Sequence, residues 1–400
     1  MSTFPPQRRE LSGSRDAGPA VGSEQGWPVW TPGALRAVAV FAAVRLAGAA
    51  LVALVSRLSG HSPLKGLAHS WDSVWYLHIA THGYGTRLHI TQSGAVQTDW
   101  AFFPLYPGLV HAVTALLPLS PAQAAVLLAW GAAGAAALGV HSLVHRLYDP
   151  STAAALVVLW AVLPQSVVLS LAYTEPLCAA LCAWCLYALF QRRWAAAGVL
   201  AGFAGLSRPN GIAAAAAVIV VAGREVVRRD GRVPAGLWAG VLVAPLGWAG
   251  YVLWVGHRTG DLLHGYFHVQ NAWDTRLDLG AGTLRFLVSL PWHGGDVVHD
   301  VALVIVVAGI ALFWRLCRER APLALLVYAG VLLLPVVAVS GPFESRPRFL
   351  LPAFPLLVPA ARALVRLWRT RPARFRLVGA ALVAVSLSYG TFLAFASHSP

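Results

Sequence analysis

The stretch Phe102-Phe103-Pro104-Leu105-Tyr106-Pro107-Gly108-Leu109-Val110-His111-Ala112-Val113-Thr114-Ala115-Leu116-Leu117-Pro118 decides how this chain is threaded. It is apolar enough to pass for a membrane span. Yet Pro104 and Pro107 stand at its entrance, and prolines so close together prevent a regular helical entry. Arginine placement decides between the two readings, because short cytoplasmic loops collect Arg and Lys. Place the N-terminus, with Arg8, Arg9 and Arg15, inside. If 102–118 spans, the turns carrying Arg192 and Arg193, and Arg224, Arg228, Arg229 and Arg232, fall outside. If it lies in the outer interface, every basic turn falls inside.

Working outward from that choice, runs of about 20 mainly apolar residues are read as spans. They fall near 34–56, 121–144, 152–171, 175–190, 194–207, 209–223, 236–256, 297–314, 322–340, 349–365 and 377–396. The expectation is an all-α polytopic membrane protein with about eleven spans and a helical first outer loop. Composition agrees: 58% of the 400 residues are apolar and 12% charged, against about 25% charged in soluble domains. Mean hydropathy is +0.64. Too few charges exist to clothe a soluble surface.

Residues 1–33 are polar and rich in Pro, Gly and Ser, and read as a disordered cytoplasmic tail with no cleavable signal peptide. Residues 34–396 form one membrane domain, and 397–400 a short tail. The net charge of +14 is no nucleic-acid signal. This threading puts 20 basic and 7 acidic residues inside and 9 of each outside, with Arg45 in the first span. The excess is an orientation and lipid-headgroup signal. Cys178, Cys182 and Cys185 share one apolar helix and Cys317 lies in a basic turn, so neither a disulfide framework nor a zinc site is expected.

The outer side holds two long loops, 57–120 and 257–296, and short ones near 172–175 and 341–348. It gathers twelve of the fourteen His and nine acids. Titratable groups collected on one face suggest a site there. In Trp71-Asp72-Ser73-Val74-Trp75-Tyr76-Leu77-His78, helical spacing sets Trp71, Trp75 and His78 on one side, with Asp72 and Tyr76 beside them. Asp72 reads equally as an N-cap or as a working carboxylate. Asp99-Trp100-Ala101-Phe102 and the proline turns after it, with Tyr106, also suit an aromatic interfacial belt.

In Tyr173-Thr174-Glu175-Pro176, Glu175 sits at a helix start, where capping and function are both open. Ser207-Arg208-Pro209-Asn210-Gly211 breaks two apolar runs around an isolated Arg208, an anion site or a snorkelling side chain. Arg346 and Arg348 in Phe343-Glu344-Ser345-Arg346-Pro347-Arg348-Phe349 oppose the orientation bias. They could grip a lipid phosphate or touch headgroups. His264, His268 and His293 lack a metal-ligand pattern and read as loop histidines.

Taken together, W-D-S-x-W-Y-L-x-I-A-x-x-G-Y, A-F-F-P-L-Y-P, Y-T-E-P-L, S-R-P-N-G and R-F-L-L-P-A-F-P-L resemble the PIG-V family over about residues 34–365. These are GT-C mannosyltransferases related to the second GPI mannosyltransferase. The resemblance implies a GT-C fold in the plasma membrane, an extracytoplasmic site and a polyprenyl-phosphate mannose donor. It implies Asp72 as catalytic carboxylate and inverting transfer to a glycolipid or glycan. Arg346 and Arg348, with Arg208, would steady the leaving phosphate. Glu175, Tyr76 and Tyr106 would bond sugar or acceptor, and Trp71, Trp75, His78, Asp99 and Asn210 complete the expected binding set. Many relatives place paired acids where Ser73 and Val74 follow Asp72, so this motif holds no acidic pair for a divalent metal. No cofactor is called for. The Ala- and Arg-rich chain, with Lys65 as its one lysine, resembles that of a high-GC bacterium, where GPI anchors are not expected. A secondary transporter or lipid flippase is the competing class. It predicts repeated halves and mid-span charges, whereas the loops here are asymmetric and Arg45 is the main intramembrane charge.

Overall fold

A computed structural model describes residues 30–91, 94–289 and 296–395. Most of the expected tail, His293 and residues 397–400 lie outside them. Helix starts follow the chemistry of the sequence. In α1 (Pro32–Leu58), the Thr31 side chain accepts from the Ala34 amide and Pro32 opens the first turn. After α2 (Pro63–Ala68), α3 (Ser73–His82) and α4 (Leu105–Leu116), helix α5 (Pro121–Leu147) opens on a capping box. Ser120 Oγ accepts from the Gln123 amide, and Gln123 Oε1 accepts from the Ser120 amide. In α6 (Pro150–Ala161), Asp149 does the same for the Thr152 amide at 3.0 Å. In each case proline fills a position whose N–H has no helical partner.

The remaining helices are α7 (Glu175–Phe190), α8 (Trp194–Ser207), α9 (Ile212–Arg228), α10 (Ala235–Val243) and α11 (Leu246–Thr259), then α12 (Gly265–Asn271) and α13 (Ala281–Ser289). Helices α14 (Val297–Arg318), α15 (Leu323–Ala338), α16 (Arg346–Phe349), α17 (Val358–Thr370) and α18 (Pro372–Phe395) close the chain. The helical first outer loop also carries something the sequence reading lacked, a two-stranded antiparallel hairpin. It pairs β1 (Leu88–Ile90) with β2 (Val96–Thr98).

By length and composition six helices among the described residues can cross a membrane, and eight if two bent pairs each count once. The bent pairs are Pro150–Ala161 with Pro164–Ser170 and Phe343–Phe349 with Phe354–Thr370, each turned by 84°. A total of eleven needs three shorter apolar helices as well: α7, α8 and α15, of 16, 14 and 16 residues. Helix α4 has 12 residues, about 18 Å at 1.5 Å per residue, short of a hydrocarbon core of about 30 Å. That length fits an interfacial position for the stretch after Pro104.

Helices α8, α10 and α11 pack without intervening side chains. A Cβ added at Gly198 would overlap the backbone of Gly240, and one at Gly240 would meet the Trp194 carbonyl. One at Gly247 would meet the Gly202 carbonyl. Small residues let backbones approach closely where lipid offers no hydrophobic drive. Gly198→Val is expected to cost about 1–3 kcal/mol, the usual penalty of overpacking. Unfolding in detergent measures it, and an unshifted transition would disprove the close contact.

Candidate active site

Four breaks between helices each deliver one charged side chain to one place. Asp72 comes from the turn before α3, Glu175 from the first turn of α7, Arg208 from the end of α8 and Arg348 from α16 at the bend of a broken span. Proline stands beside three of them: Pro176 and Pro347 open the first turns of α7 and α16, and Pro209 follows the end of α8.

Asp72 does not cap α3. Its backbone is helical (φ −63°, ψ −23°) rather than extended, and its carboxylate makes no capping bond. Trp71 before it adopts φ +53°, a left-handed conformation uncommon for a bulky residue and typical of strained functional segments. The freed carboxylate instead accepts from Arg348, Nη1 to Oδ2 at 2.7 Å. The Asp72 amide donates to Tyr173 Oη at 3.3 Å. Glu175 Oε1 lies 2.5 Å from Arg208 Nη1 and 3.5 Å from Arg348 Nε. The Glu175 side chain is 1% exposed and both arginine side chains 7%, but Asp72 is 22% exposed. The cluster is therefore dry at its base and open at Asp72. Both guanidinium groups sit over the Phe349 ring, at 5.8 Å for Arg208 and 5.3 Å for Arg348. Arg348 also lies 5.6 Å from the Tyr173 ring centre.

Buried Glu175 Oε2 and Arg208 Nε at the cluster, and Asn210 Nδ2 two residues from Arg208, have no hydrogen-bond partner among the described residues. Buried polar groups are nearly always paired, so such atoms mark a place for water or ligand. Tyr76 lines the same space. Burial pushes its phenol up, and Arg208, Asp72, Glu175 and Arg348 all act on its charge. Burial likewise raises Tyr173. Both hydroxyls thus stay protonated near neutral pH.

Other expected site residues lie apart from these charges or serve the surrounding frame. Arg346 donates to Thr283 Oγ1 (2.6 Å), the Val336 carbonyl (2.9 Å) and the Val339 carbonyl (3.1 Å). It ties the end of α15 to α13, away from Arg348. Asp99 is fully buried and receives the Gly85 amide on both oxygens, at 2.9 and 3.0 Å, and the Thr86 amide at 3.3 Å. Tyr106 packs edge-on against Tyr76, and its hydroxyl donates to the Ala125 carbonyl at 2.7 Å. His78 shares a hydrogen bond with Thr86 and stacks on His82. Trp75 stacks on Phe102 and meets Trp273 edge-on, with Arg87 over its face. His264 and His268 face Asp261 at 3.4 and 3.8 Å on an exposed surface. Among the described residues no three His, Cys, Asp or Glu side chains are placed to share a metal ion.

Tyr106→Phe should lose about 0.5–1.5 kcal/mol of stability, the net value of one hydrogen bond, with KM and kcat unchanged. A fall in kcat/KM without a stability change would return Tyr106 to the substrate site. Tyr173 and Phe349 sit inside quoted motifs, yet only the structure gives them work. Trp273 had no signal, since its partners lie in the other outer loop.

Apolar helices arranged around a helical loop, with acids and arginines meeting at helix breaks, define a multi-span membrane protein of GT-C fold. Among solved structures, ArnT from Cupriavidus metallidurans in the apo state matches with a TM-score of 0.54 at 19% identity. The match covers 92% of this chain and 67% of that one. The oligosaccharyltransferase of Archaeoglobus fulgidus matches in its complex with zinc and sulfate, with a TM-score of 0.50 at 16% identity. That match covers 89% of this chain and 53% of the other. The same protein tethered to an acceptor peptide gives 0.51 at 13% identity, over 91% and 56%. The chain thus spans about half the length of that oligosaccharyltransferase, and the likeness is one of fold. No protein-family model matches the chain, and no curated protein does.

Proposed function

We propose that this protein is a membrane glycosyltransferase using a lipid-linked sugar donor. More narrowly, we propose a PIG-V-like mannosyltransferase acting from polyprenyl-phosphate mannose on a hydroxyl of a glycolipid or glycan. The observation that carries the reading is Asp72, a partly exposed carboxylate held 2.7 Å from a buried arginine. A sugar hydroxyl is a poor nucleophile, so a placed base must take its proton as it attacks. The acceptor oxygen bonds to the anomeric carbon, the bond from that carbon to the phosphate oxygen breaks, and the proton passes to Asp72. The leaving phosphate gains a negative charge, which Arg348 and Arg208 stabilise in a water-poor setting. The step moves charge from Asp72 to the phosphate without changing the total. Direct displacement inverts the donor configuration.

An apolar groove of about 390 Å³ between α5, α7 and α8, lined by Leu128, Gly131, Ala135, Leu177, Leu181 and Trp184, supports a hydrocarbon-bearing substrate. The arginine distribution supports a cytoplasmic N-terminus and a site on the outer face of the plasma membrane.

The test is transfer by purified protein from labelled polyprenyl-phosphate mannose to a membrane lipid extract. Transfer of another sugar but not mannose would overturn the narrower reading. Absence of transfer from every phosphate-linked donor tried would overturn the broader one. Cysteines placed between Trp71 and Tyr84 should react with an impermeant reagent added outside cells; protection there, with reaction in inverted vesicles, would reverse the orientation.

A further inference from the structure

Two carboxylates share one guanidinium at this site, and they are held differently. Glu175 is buried at the junction of Arg208 and Arg348, and its Oε1 faces both. Asp72 touches Arg348 through a single bond from Nη1 and stands at the open side. We propose that Glu175 is the fixed partner of Arg348, a positioning residue that does not touch substrate. Asp72 is the exchangeable partner, displaced from Arg348 when a donor phosphate binds.

The inference rests on the phosphate role given to these arginines and deepens it. Two guanidinium groups sharing the Phe349 ring repel each other, and an acid between them holds both in place. Glu175 supplies that acid in a dry setting, where the attraction is strongest. Arg348 turns Nε toward Glu175 at 3.5 Å and hydrogen-bonds Asp72 through Nη1 at 2.7 Å, so Nη1 is the donor that Asp72 holds. A phosphate oxygen arriving from the open side, where Asp72 stands, competes with it for Nη1. The cluster carries two positive and two negative side chains, so a bound phosphodiester replaces one anion on Arg348 with another. Once released from the arginine, the Asp72 carboxylate is free to meet the acceptor hydroxyl. Arrival of the donor thereby switches on the base.

The two acids then have opposite effects on phosphate binding, although each substitution removes one negative charge. The probe is a polyprenyl phosphate without sugar, in detergent micelles, with the matching polyprenol as reference. Asp72→Asn should bind the phosphate about tenfold more tightly, because a charge-assisted competitor for Nη1 is gone. Glu175→Gln should bind it about tenfold more weakly, because the arginine pair loses its organiser. Glu175→Asp should recover part of that loss. Tightening in both variants would reduce the effect to net charge and overturn the proposal. Unchanged or weakened binding in Asp72→Asn would overturn it too. If Glu175→Gln does not fold, Asp261→Asn, the same charge change at an exposed outer residue, becomes the control; equal tightening there overturns the exchange. Loss of transfer in Asp72→Asn tests the base separately. An exchange disproved with the base intact is therefore distinguishable from failure of the enzyme reading.

Discussion

Replacing Asp72 by Asn is expected to lower transfer by about 10²–10⁴-fold, the contribution of a positioned general base, while the protein still folds. The structure supplies both halves of that expectation. Asn keeps the size of the side chain and still offers a carbonyl oxygen to Arg348 Nη1, so the contact now measured at 2.7 Å has a neutral replacement. No helix cap is lost, since Asp72 makes no capping bond on α3. What disappears is the group able to hold a proton. The measurement is single-turnover transfer from labelled donor, beside an unfolding transition in detergent. Transfer within a few-fold of the parent, in a folded variant, would remove Asp72 from the role of base.

Arg348→Ala is the second large expectation, and here stability and activity fall together. Glu175 keeps Arg208, but Asp72 loses its ionic partner among the described residues and the Phe349 face loses a cation. Removing one partner of this part-buried pair should cost about 1–3 kcal/mol, because the Asp72 acceptor is left unsatisfied. Donor binding should fail as well. Arg348→Lys separates the two effects. It restores the charge but not the fork that reaches Asp72 and Glu175 at once, so stability should recover further than transfer does. Equal recovery of both would mean that charge alone matters at this position.

Much of the fold was legible because prolines and polar caps punctuate the chain at the right places. Thr31-Pro32, Ser120-Pro121 and Asp149-Pro150 announce helix starts, and the structure opens helices there. The motifs around Glu175, Arg208 and Arg348 were found for the same reason: each is a polar interruption between apolar runs. Which member of each motif does what was not legible. Arg346 and Arg348 are two residues apart and look alike in sequence, yet one reaches Asp72 and the other reaches the carbonyls of α15. On a helix, residues two apart face different ways, and only the tertiary surroundings decide which way is the site. The 84° bends escaped for a related reason, since an apolar run reads the same whether straight or folded back. Asp99 belongs to the binding set that the resemblance implies, but both its oxygens are taken by the backbone of a tight turn at Gly85.

The glycine contacts of α8 reach beyond packing. Gly198 and Arg208 lie ten residues apart, so about 15 Å of rigid rod separates a bare backbone contact from a guanidinium group. With no side chain to act as a cushion, the height and tilt of that rod are fixed by backbone touching backbone. A bulky residue at such a contact would work as a wedge under a lever and swing its far tip. Genetic screens for poor sugar transfer should then recover lesions at these glycines alongside those at the acids.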